Sequence, residues 1–388
     1  MPLSAPRTGE QLKILGRELP FTFWPMGRTT RRYGVQFRIF STNPWPTIVR
    51  SIQRSCPALS KQSALAFVEQ AQDYYRAATS GDVSAAKPLL LYYSFMNLAK
   101  AYILHTGQRP SLDINSKHGI SEKLTPGGVE LTGAFLETFP SVNVPAAAAR
   151  PARISINLFH EFLSISRPGG LAAATTFHLP ALLPQVLAGH RLWADGANEK
   201  ERFIAFHRIS FVEDRATKAI WLRLFVFSDD FSRLNLSHQQ FLRAGKLNTE
   251  FHEVQCTEQV DNRSLVCFEQ RNPLLYTHRA ADSVPRLVDL IRPKIWTVVM
   301  SQPPYRRYYA YLAPVDDHPL VIPQLQAIYA IAYYLGSITR YRPHHFRKIT
   351  DSNFGPFIEA FLNDQPPQFL YLMASEFAKQ DITRAAIV

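Results

Sequence analysis

The chain has 388 residues, of which 46% are hydrophobic and 28 are proline, so two or three folded lobes with many connections are expected. Its formal charge of +12 at pH 7 favours partners that carry phosphate, nucleic acid included. No apolar run is long and unbroken enough to span a membrane, no signal-peptide pattern precedes the fold, and three scattered cysteines give no disulfide framework. We therefore expect a cytoplasmic protein that does not contact a membrane.

The amino-terminal third of the chain predicts an aromatic arm followed by two helices. Residues 1–58 combine aromatic side chains with prolines and predict an arm with a short strand near Tyr33–Phe40. A stripe of apolar residues at helical spacing predicts a helix over Lys61–Ala78, capped by Ser60. The next helix, Pro88–His105, is apolar nearly all round, which is typical of the central helix of a bundle.

The middle of the chain predicts antiparallel strands. After a stretch rich in glycine, proline and small residues, the segments FIAFHRISFV and AIWLRLFVF are joined by a short polar turn, as are IWTVVM and RRYYAYL. Each pair is typical of a hairpin, and contiguous hairpins favour an antiparallel sheet over alternating βα units. Short helices are predicted at His238–Ala244, capped by Ser237, and over SVPRLVDLI.

The carboxy-terminal part returns to helix. An apolar helix opens after Pro323 and ends near Arg340, because Pro343 disfavours helical dihedrals at Arg342. Two further helices are predicted at Phe354–Leu362 and Pro367–Lys379. The fold class that follows is α+β, a discontinuous helical bundle with an inserted antiparallel β-rich unit. Its expected parts are an arm (1–58), a first bundle segment (59–110), the insert (111–318) and a second bundle segment (319–388).

Two blocks of the sequence resemble the bacterial YaaC-like protein family. They are AAKPLLLYYSFMNLAKAYIL at 85–104 and the helix that ends in ITRYRP at 338–343. Some members of the family look like components of bacterial genome-defence loci. The resemblance implies a defence component that acts on or binds nucleic acid beside a partner protein, and it implies no settled activity.

A looser resemblance concerns the segment RYRPHH. In an antiparallel bundle, an arginine followed after four to six residues by a histidine resembles the HEPN superfamily of ribonucleases, and Arg340 and His345 have that spacing. The resemblance implies metal-independent cleavage of RNA by Arg340 and His345, with His344 as the substitute, in a homodimer. A histidine exchanges protons near neutral pH, and an arginine stabilises charge that develops on phosphoryl oxygens.

A non-catalytic alternative explains the same residues. A cation at a helix end interacts favourably with the helix dipole, and Pro343 interrupts the motif between Arg340 and His345. The protein would then be a scaffold or recognition subunit that binds a partner protein or nucleic acid, RNA in preference to DNA, and we expect it to be a homo-oligomer. In both alternatives the candidate nucleic-acid contacts are Arg342, Arg347, Lys348, Tyr305, Arg306, Arg307 and Lys100.

Lys100 also has a purely structural alternative, which is an ion pair with Glu69. The sequence contains no phosphate-binding loop, no dinucleotide fingerprint and no serine elbow, so no cofactor is expected. Asp316, Asp317 and His318 could together ligate a divalent metal, but no further ligands stand at a suitable spacing. A solvated turn is the favoured interpretation, and no metal site is expected.

Overall fold

In a computed structural model, residues 3–28, 33–81, 83–112, 116–144, 153–314 and 320–385 are described. Asp316, Asp317 and His318 lie outside these residues. The chain divides into a helical unit, Asn43–Glu199 with Leu320–Ala378, and a β unit, Met1–Thr42 with Lys200–Pro319 and Lys379–Val388. The sequence predicts a β-rich insert that begins at residue 111, whereas in the structure the chain passes from the helical unit to the β unit at residue 200.

The helices are numbered in chain order, and α7 to α9 belong to the β unit. They are α1 (Trp45–Ser55), α2 (Ala58–Thr79), α3 (Lys87–His105), α4 (Leu158–Ser166), α5 (Leu179–Leu182), α6 (His190–Ala197), α7 (Ser228–Leu234), α8 (His238–Ala244), α9 (Val284–Ile291), α10 (Gln324–Tyr341), α11 (Pro343–Thr350) and α12 (Gly355–Ala378).

The strands are numbered in the same way, and β7 to β12 belong to the helical unit. They are β1 (Glu10–Gln11), β2 (Lys13–Ile14), β3 (Arg17–Glu18), β4 (Met26–Arg28), β5 (Tyr33–Val35), β6 (Ile39–Ser41), β7 (Ser116–Lys117), β8 (Ile120–Leu124), β9 (Ala134–Thr138), β10 (Val142–Val144), β11 (Arg153–Asn157), β12 (Thr175–His178), β13 (Phe203–Phe206), β14 (Arg208–Asp214), β15 (Ala219–Phe227), β16 (Phe251–Val254), β17 (Gln259–Val260), β18 (Arg263–Gln270), β19 (Leu274–Leu275), β20 (Ile295–Val299), β21 (Arg306–Tyr311) and β22 (Ile382–Arg384).

The helical unit is built around α3, which packs against α2 and α10. Most of α3 is buried, as its apolar sequence predicts for a central helix. The contact between α3 and α10 is close at Gly336, where an added Cβ would lie 2.9 Å from Cβ of Tyr92. A glycine on α10 therefore lets the two helices approach.

Two features of the helical unit differ from the sequence prediction. The helix α2 begins at Ala58, so Ser60 lies inside it, and its hydroxyl donates to the carbonyl of Pro110 instead of capping the helix. The two helices expected after residue 353 are one helix, α12, which continues through Pro366 and Pro367. A proline inside a helix costs roughly 3 kcal/mol. Burial on both sides of the prolines offsets this cost, since Phe369 is buried and its ring centroid lies 4.0 Å from that of Phe95.

The β unit contains a seven-stranded sheet in which β1, β14, β15, β18 and β16 are hydrogen-bonded in that order, with β17 and β19 at its side. Every pairing in it is antiparallel. A three-stranded antiparallel sheet of β13, β21 and β20 lies in the same unit. The predicted α+β class with antiparallel sheets is confirmed. Both predicted hairpins are present, β14 with β15 and β20 with β21.

Local sequence signals determine α8. The hydroxyl of Ser237 accepts a hydrogen bond from the backbone N–H of Gln240, and the side chain of Gln240 accepts from the backbone N–H of Ser237. This capping box satisfies two of the N–H groups that a helix start leaves without partners. The predicted cap at Ser237 is confirmed.

Candidate functional site

Arg340 lies in the last turn of α10 with its side chain exposed. Its Nη1 donates a hydrogen bond to the hydroxyl of Tyr93, 3.0 Å away on α3. The centre of its guanidinium lies 4.9 Å from the ring centroid of Tyr341. Among the residues that the structure describes, no carboxylate is within ion-pair distance of Arg340. The guanidinium is thus held by aromatic groups and keeps its charge uncompensated.

Tyr93 and Tyr341 contact this guanidinium, and Tyr74 contacts Tyr93. We call Arg340, Tyr74, Tyr93 and Tyr341 the tyrosine surface. The rings of Tyr74 and Tyr93 are stacked, with centroids 5.4 Å apart and planes inclined by 28°. Tyr341 is 65% exposed. Tyr74 and Tyr93 are half-buried. Aromatic rings that reach the surface can stack on unpaired bases, and a cation beside them can contact phosphate.

His118 lies between β7 and β8, and its side chain is exposed. Its Nδ1 is hydrogen-bonded to the hydroxyl of the buried Tyr92, and its ring lies 6.2 Å from that of Tyr333. The packing of these groups removes water from one side of the imidazole. Together with the positive charges of Lys100 and Arg340, this partial burial lowers the pKa of His118 below its ordinary value.

Lys100, on α3, is half-buried. Its Nζ lies 5.0 Å from the ring centroid of Phe67, and burial lowers its pKa. The ion pair with Glu69 that the sequence suggested is not formed, and Glu69 is exposed. In the described part of the chain Lys100 has no carboxylate partner. Lys100 and Arg340 are both close enough for their charges to act on His118.

His345 and Arg342 have a different environment, which is made of carboxylates. The carboxylate of Glu130 lies 2.7 Å from Nδ1 of His345 and also accepts a hydrogen bond from the hydroxyl of Tyr334 at 2.8 Å. Nη2 of Arg342 lies 2.9 Å from a carboxylate oxygen of Glu122. Arg342 is therefore neutralised by an acidic neighbour, which leaves less of its charge for a phosphate.

The structure thus gives Arg340 and His345 separate partners. Arg340 contacts Tyr93 and Tyr341, whereas His345 contacts Glu130, and no hydrogen bond or ring contact joins Arg340 to His345 in the described chain. The ring of His344 lies edge-on to that of His345, with centroids 4.4 Å apart. Catalysis by these residues stays a prediction.

The segment after Arg342 is a helix, where the sequence predicted a turn. Pro343 occupies the first turn of α11, where a missing N–H costs nothing because the group would have no partner within the helix. His344 and His345 follow in the same turn. Arg347 and Lys348 are exposed on α11, and Nε of Arg347 lies 3.9 Å from a carboxylate oxygen of Asp351.

The remaining candidate contacts lie in the β unit. Arg307 is exposed, and the ring of Tyr305 lies 4.8 Å from that of Phe40. Arg306 differs from the expectation, because its side chain is 3% exposed, pairs with Asp381 and donates to the carbonyl of Ile382 at 2.7 Å. Alternation along β21 turns Arg306 inward, so its guanidinium stabilises the fold and cannot reach a phosphate in this structure.

Sequence reasoning missed His118, Tyr93 and Tyr92. His118 has no signal of its own, since it stands between a short strand and Gly119 with no partner at helical spacing. Tyr92 and Tyr93 form part of the block PLLLYYS, whose regular apolar character indicates core. The structure shows that the hydroxyl of Tyr92 is hydrogen-bonded to His118 and that the hydroxyl of Tyr93 accepts a hydrogen bond from Arg340.

In the described part of the chain, three or more metal-ligating side chains do not come together at any point. Within the same residues no helix has the length and apolar character to cross a membrane. The fold and the site define a two-unit α+β protein whose helical unit carries an exposed arginine beside Tyr93 and Tyr341, with no carboxylate partner among the described residues.

The sequence model of the YaaC-like protein family matches residues 38–377, and the chain belongs to this family. No curated protein sequence and no solved structure matches the chain.

Proposed function

We propose that the protein binds single-stranded nucleic acid, RNA in preference to DNA, through the tyrosine surface, as a component of a bacterial genome-defence system. The observation that carries the proposal is Arg340, an exposed cation held by Tyr93 and Tyr341 with no carboxylate partner in the described chain. The resemblance of the sequence to defence-associated family members supports the wider context.

The chemistry of the surface suits an unpaired strand. Stacking on an aromatic ring is tolerant of sequence because every base has a π face, and it contributes about 1–3 kcal/mol per base. A guanidinium beside the rings can contact the phosphate that follows each base. The formal charge of +12 adds long-range attraction to the polyanion.

Fluorescence anisotropy with a labelled single-stranded RNA, and with DNA of the same sequence, tests the proposal. Arg340→Ala and Tyr341→Ala are each expected to weaken binding about five- to tenfold, and Arg340→Ala should also lower the salt dependence. Arg279→Ala is a matched control, because Arg279 is an exposed arginine of the β unit, 2.9 Å from Asp282. Equal affinity of wild type and both surface variants would refute the proposal.

We also keep as a proposal that a HEPN-like, metal-independent ribonuclease site forms at Arg340 and His345, with His344 as substitute. His345 would have to exchange Glu130 for the strand or be completed by a second copy of the chain. Labelled RNA incubated with the protein and excess chelator should then be cleaved, and Arg340→Ala or His345→Ala should abolish cleavage. Intact RNA under all conditions, with binding retained, favours the non-catalytic recognition subunit.

A second candidate function is docking of a partner protein on the β unit. Phe37 is 70% exposed and Phe40 is 51% exposed, on and beside strand β6. Exposed aromatic side chains three residues apart in the sequence are compatible with an interaction surface. Co-expression with the products of neighbouring genes tests this function: a protein that copurifies with wild type should be lost from Phe37→Asp and Phe40→Asp, while a complex that survives both changes would contradict it.

A further inference from the structure

We propose that Lys100, His118 and Arg340 bind the terminal phosphate of a nucleic-acid strand whose bases lie on the tyrosine surface. The inference rests on the proposed function, because it places the end of the bound strand beside the tyrosine surface. The ligand group is a phosphate monoester at the end of the strand. Its contribution can be measured separately, because a strand without this phosphate can still bind through its bases.

The first argument is the absence of compensating charge. Lys100 and Arg340 come from α3 and α10, and neither has a carboxylate partner among the described residues. Other cations nearby are neutralised, as the ion pair between Arg342 and Glu122 at 2.9 Å shows. Consecutive residues of α3 hold two of these groups, because Tyr92 contacts His118 and Tyr93 contacts Arg340. The charges of Lys100 and Arg340 both act on His118, so an anion bound there would be stabilised.

The second argument is the hydrogen bond between Tyr92 and His118. Tyr92 is buried. Its pKa is raised mainly by this burial and to a smaller extent by the nearby Tyr329, Tyr333 and Tyr93, so its hydroxyl keeps its proton. When the Tyr92 phenol donates its proton to Nδ1 of His118, and not to Sδ of Met96 at 3.6 Å, the neutral imidazole carries its own proton on Nε2. His118 then presents an N–H donor at an exposed position even when it is neutral.

The third argument is charge matching. A phosphodiester carries one negative charge, whereas a terminal phosphate carries about −1.5 to −2 at pH 7 and has three acceptor oxygens. An ammonium, a guanidinium and an imidazole N–H supply donors for three oxygens. Glu122, the acidic group that faces this region, is close enough to raise the pKa of Tyr333 but is paired with Arg342. A terminal phosphate therefore suits the site better than an internal one.

The experiment compares two RNA oligonucleotides of one sequence, with a 5′-phosphate and with a 5′-hydroxyl, by fluorescence anisotropy. Wild type is expected to bind the phosphorylated strand about tenfold more tightly. The phosphorylated and unphosphorylated strands should bind with equal affinity to Lys100→Met, His118→Asn and Arg340→Gln. The preference for the phosphorylated strand should persist in Arg279→Gln, which removes an exposed charge of the β unit. In His118→Asn the amide can keep the contact with Tyr92, and in Lys100→Met an apolar side chain still covers Phe67, so the variants should fold.

The outcomes separate this inference from the proposed function. Equal affinity of wild type for both strands overturns the terminal-phosphate site and leaves strand binding intact. Discrimination that persists in all three site variants overturns the residue assignment. Binding of neither strand overturns both proposals. Competition by adenosine 5′-monophosphate as strong as that by the phosphorylated strand overturns the assignment of the ligand to a strand end.

Discussion

Nη1 of Arg340 lies 3.0 Å from the hydroxyl oxygen of Tyr93, and the ring of Tyr93 is in turn stacked on that of Tyr74. Three helices therefore fix one cation, since Arg340 lies on α10, Tyr93 on α3 and Tyr74 on α2. A side chain held in this way loses little conformational freedom when it meets a ligand.

Tyr93→Phe is expected to weaken binding of single-stranded RNA about fivefold, because the change removes the hydroxyl that orients Arg340 and keeps the stacked ring. Fluorescence anisotropy measures the effect. Tyr74→Phe is the matched control, since the structure gives its hydroxyl no hydrogen bond among the described residues, and its affinity should equal that of wild type. Equal losses in the two variants would show that the hydroxyl of Tyr93 has no particular role.

Glu161 makes the stability of the helical unit depend on pH. Burial alone would raise the pKa of its carboxyl group, but hydrogen bonds from Arg109, Ser141 and Gln108 outweigh burial and hold the pKa below its usual range. Nη2 of Arg109 lies 2.7 Å from the carboxylate. The unfolded chain therefore binds more protons in the acidic range, so this contribution is full above the ordinary carboxyl pKa of about 4.3 and is lost as pH falls through the lowered value.

Glu161→Gln should lower the free energy of unfolding by about 3 kcal/mol at pH 7, where it leaves Arg109 without its partner. The loss relative to wild type should shrink towards pH 3, because wild type then loses the same charge. Urea denaturation at pH 7, 5, 4 and 3 measures both effects. Glu137→Gln, at a half-buried position where the carboxylate lies 3.7 Å from Nζ of Lys123, should change stability by less than about 0.5 kcal/mol. A loss at Glu161 that is independent of pH would contradict this account.

Gly336→Ala is expected to destabilise the helical unit by about 1–3 kcal/mol. The added Cβ would lie 2.9 Å from Cβ of Tyr92 and 3.3 Å from the carbonyl oxygen of Pro88, so α3 and α10 would have to separate. Helix propensity acts in the opposite direction, since alanine is favoured over glycine by about 1 kcal/mol. Thermal unfolding shows which effect is larger. A lowered melting temperature is expected from the steric clash, and a raised one would mean that the helices do not approach this closely. Gly34→Ala, with nothing within 4 Å of the added Cβ, is the control.

Arg306 and Arg307 are adjacent in sequence and are expected to behave in opposite ways. Arg306→Ala should cost about 3 kcal/mol of stability, because it leaves the buried carboxylate of Asp381 with Arg38 alone, 3.0 Å away. Arg307→Ala should change stability by less than about 0.5 kcal/mol, since the side chain is exposed. Urea denaturation measures both, and anisotropy with RNA shows whether Arg307 contributes to binding. Similar stability of the two variants would contradict the inward orientation of Arg306.

Elements with a local cause could be predicted from the sequence. The hairpin of β14 and β15 follows from two strand-forming segments and a polar turn, in which the carboxylate of Asp214 accepts from the backbone N–H of Ala216. The start of α8 follows from Ser237 and Gln240, which lie three residues apart. In such cases the residues that determine the structure are neighbours in the chain.

Features that depend on distant residues could not be predicted. Two consecutive prolines, such as Pro366 and Pro367, normally end a helix. Helix α12 continues through them with buried residues on both sides, and Phe369 packs against Phe95 of α3, which is distant in sequence. The surroundings of His118 come from α3 and α10, which are separated by more than two hundred residues. Spacing along the sequence singled out His345 instead, although its neighbour in space is Glu130, a residue of a glycine-rich connection.

The parallel pairing of β22 with β6 has a consequence for synthesis on the ribosome. Strand β22 aligns Ile382 with Ile39, and Asp381, the residue before it, pairs with Arg38 and Arg306. Because the chain emerges from its amino-terminal end, the β unit must wait for residues 379–385 before it can be completed, long after β6 has been made. In a newly made chain this edge of β6 therefore stays without its partner strand until residues 379–385 have emerged, and a stop codon shortly before residue 381 would leave a buried arginine without its carboxylate.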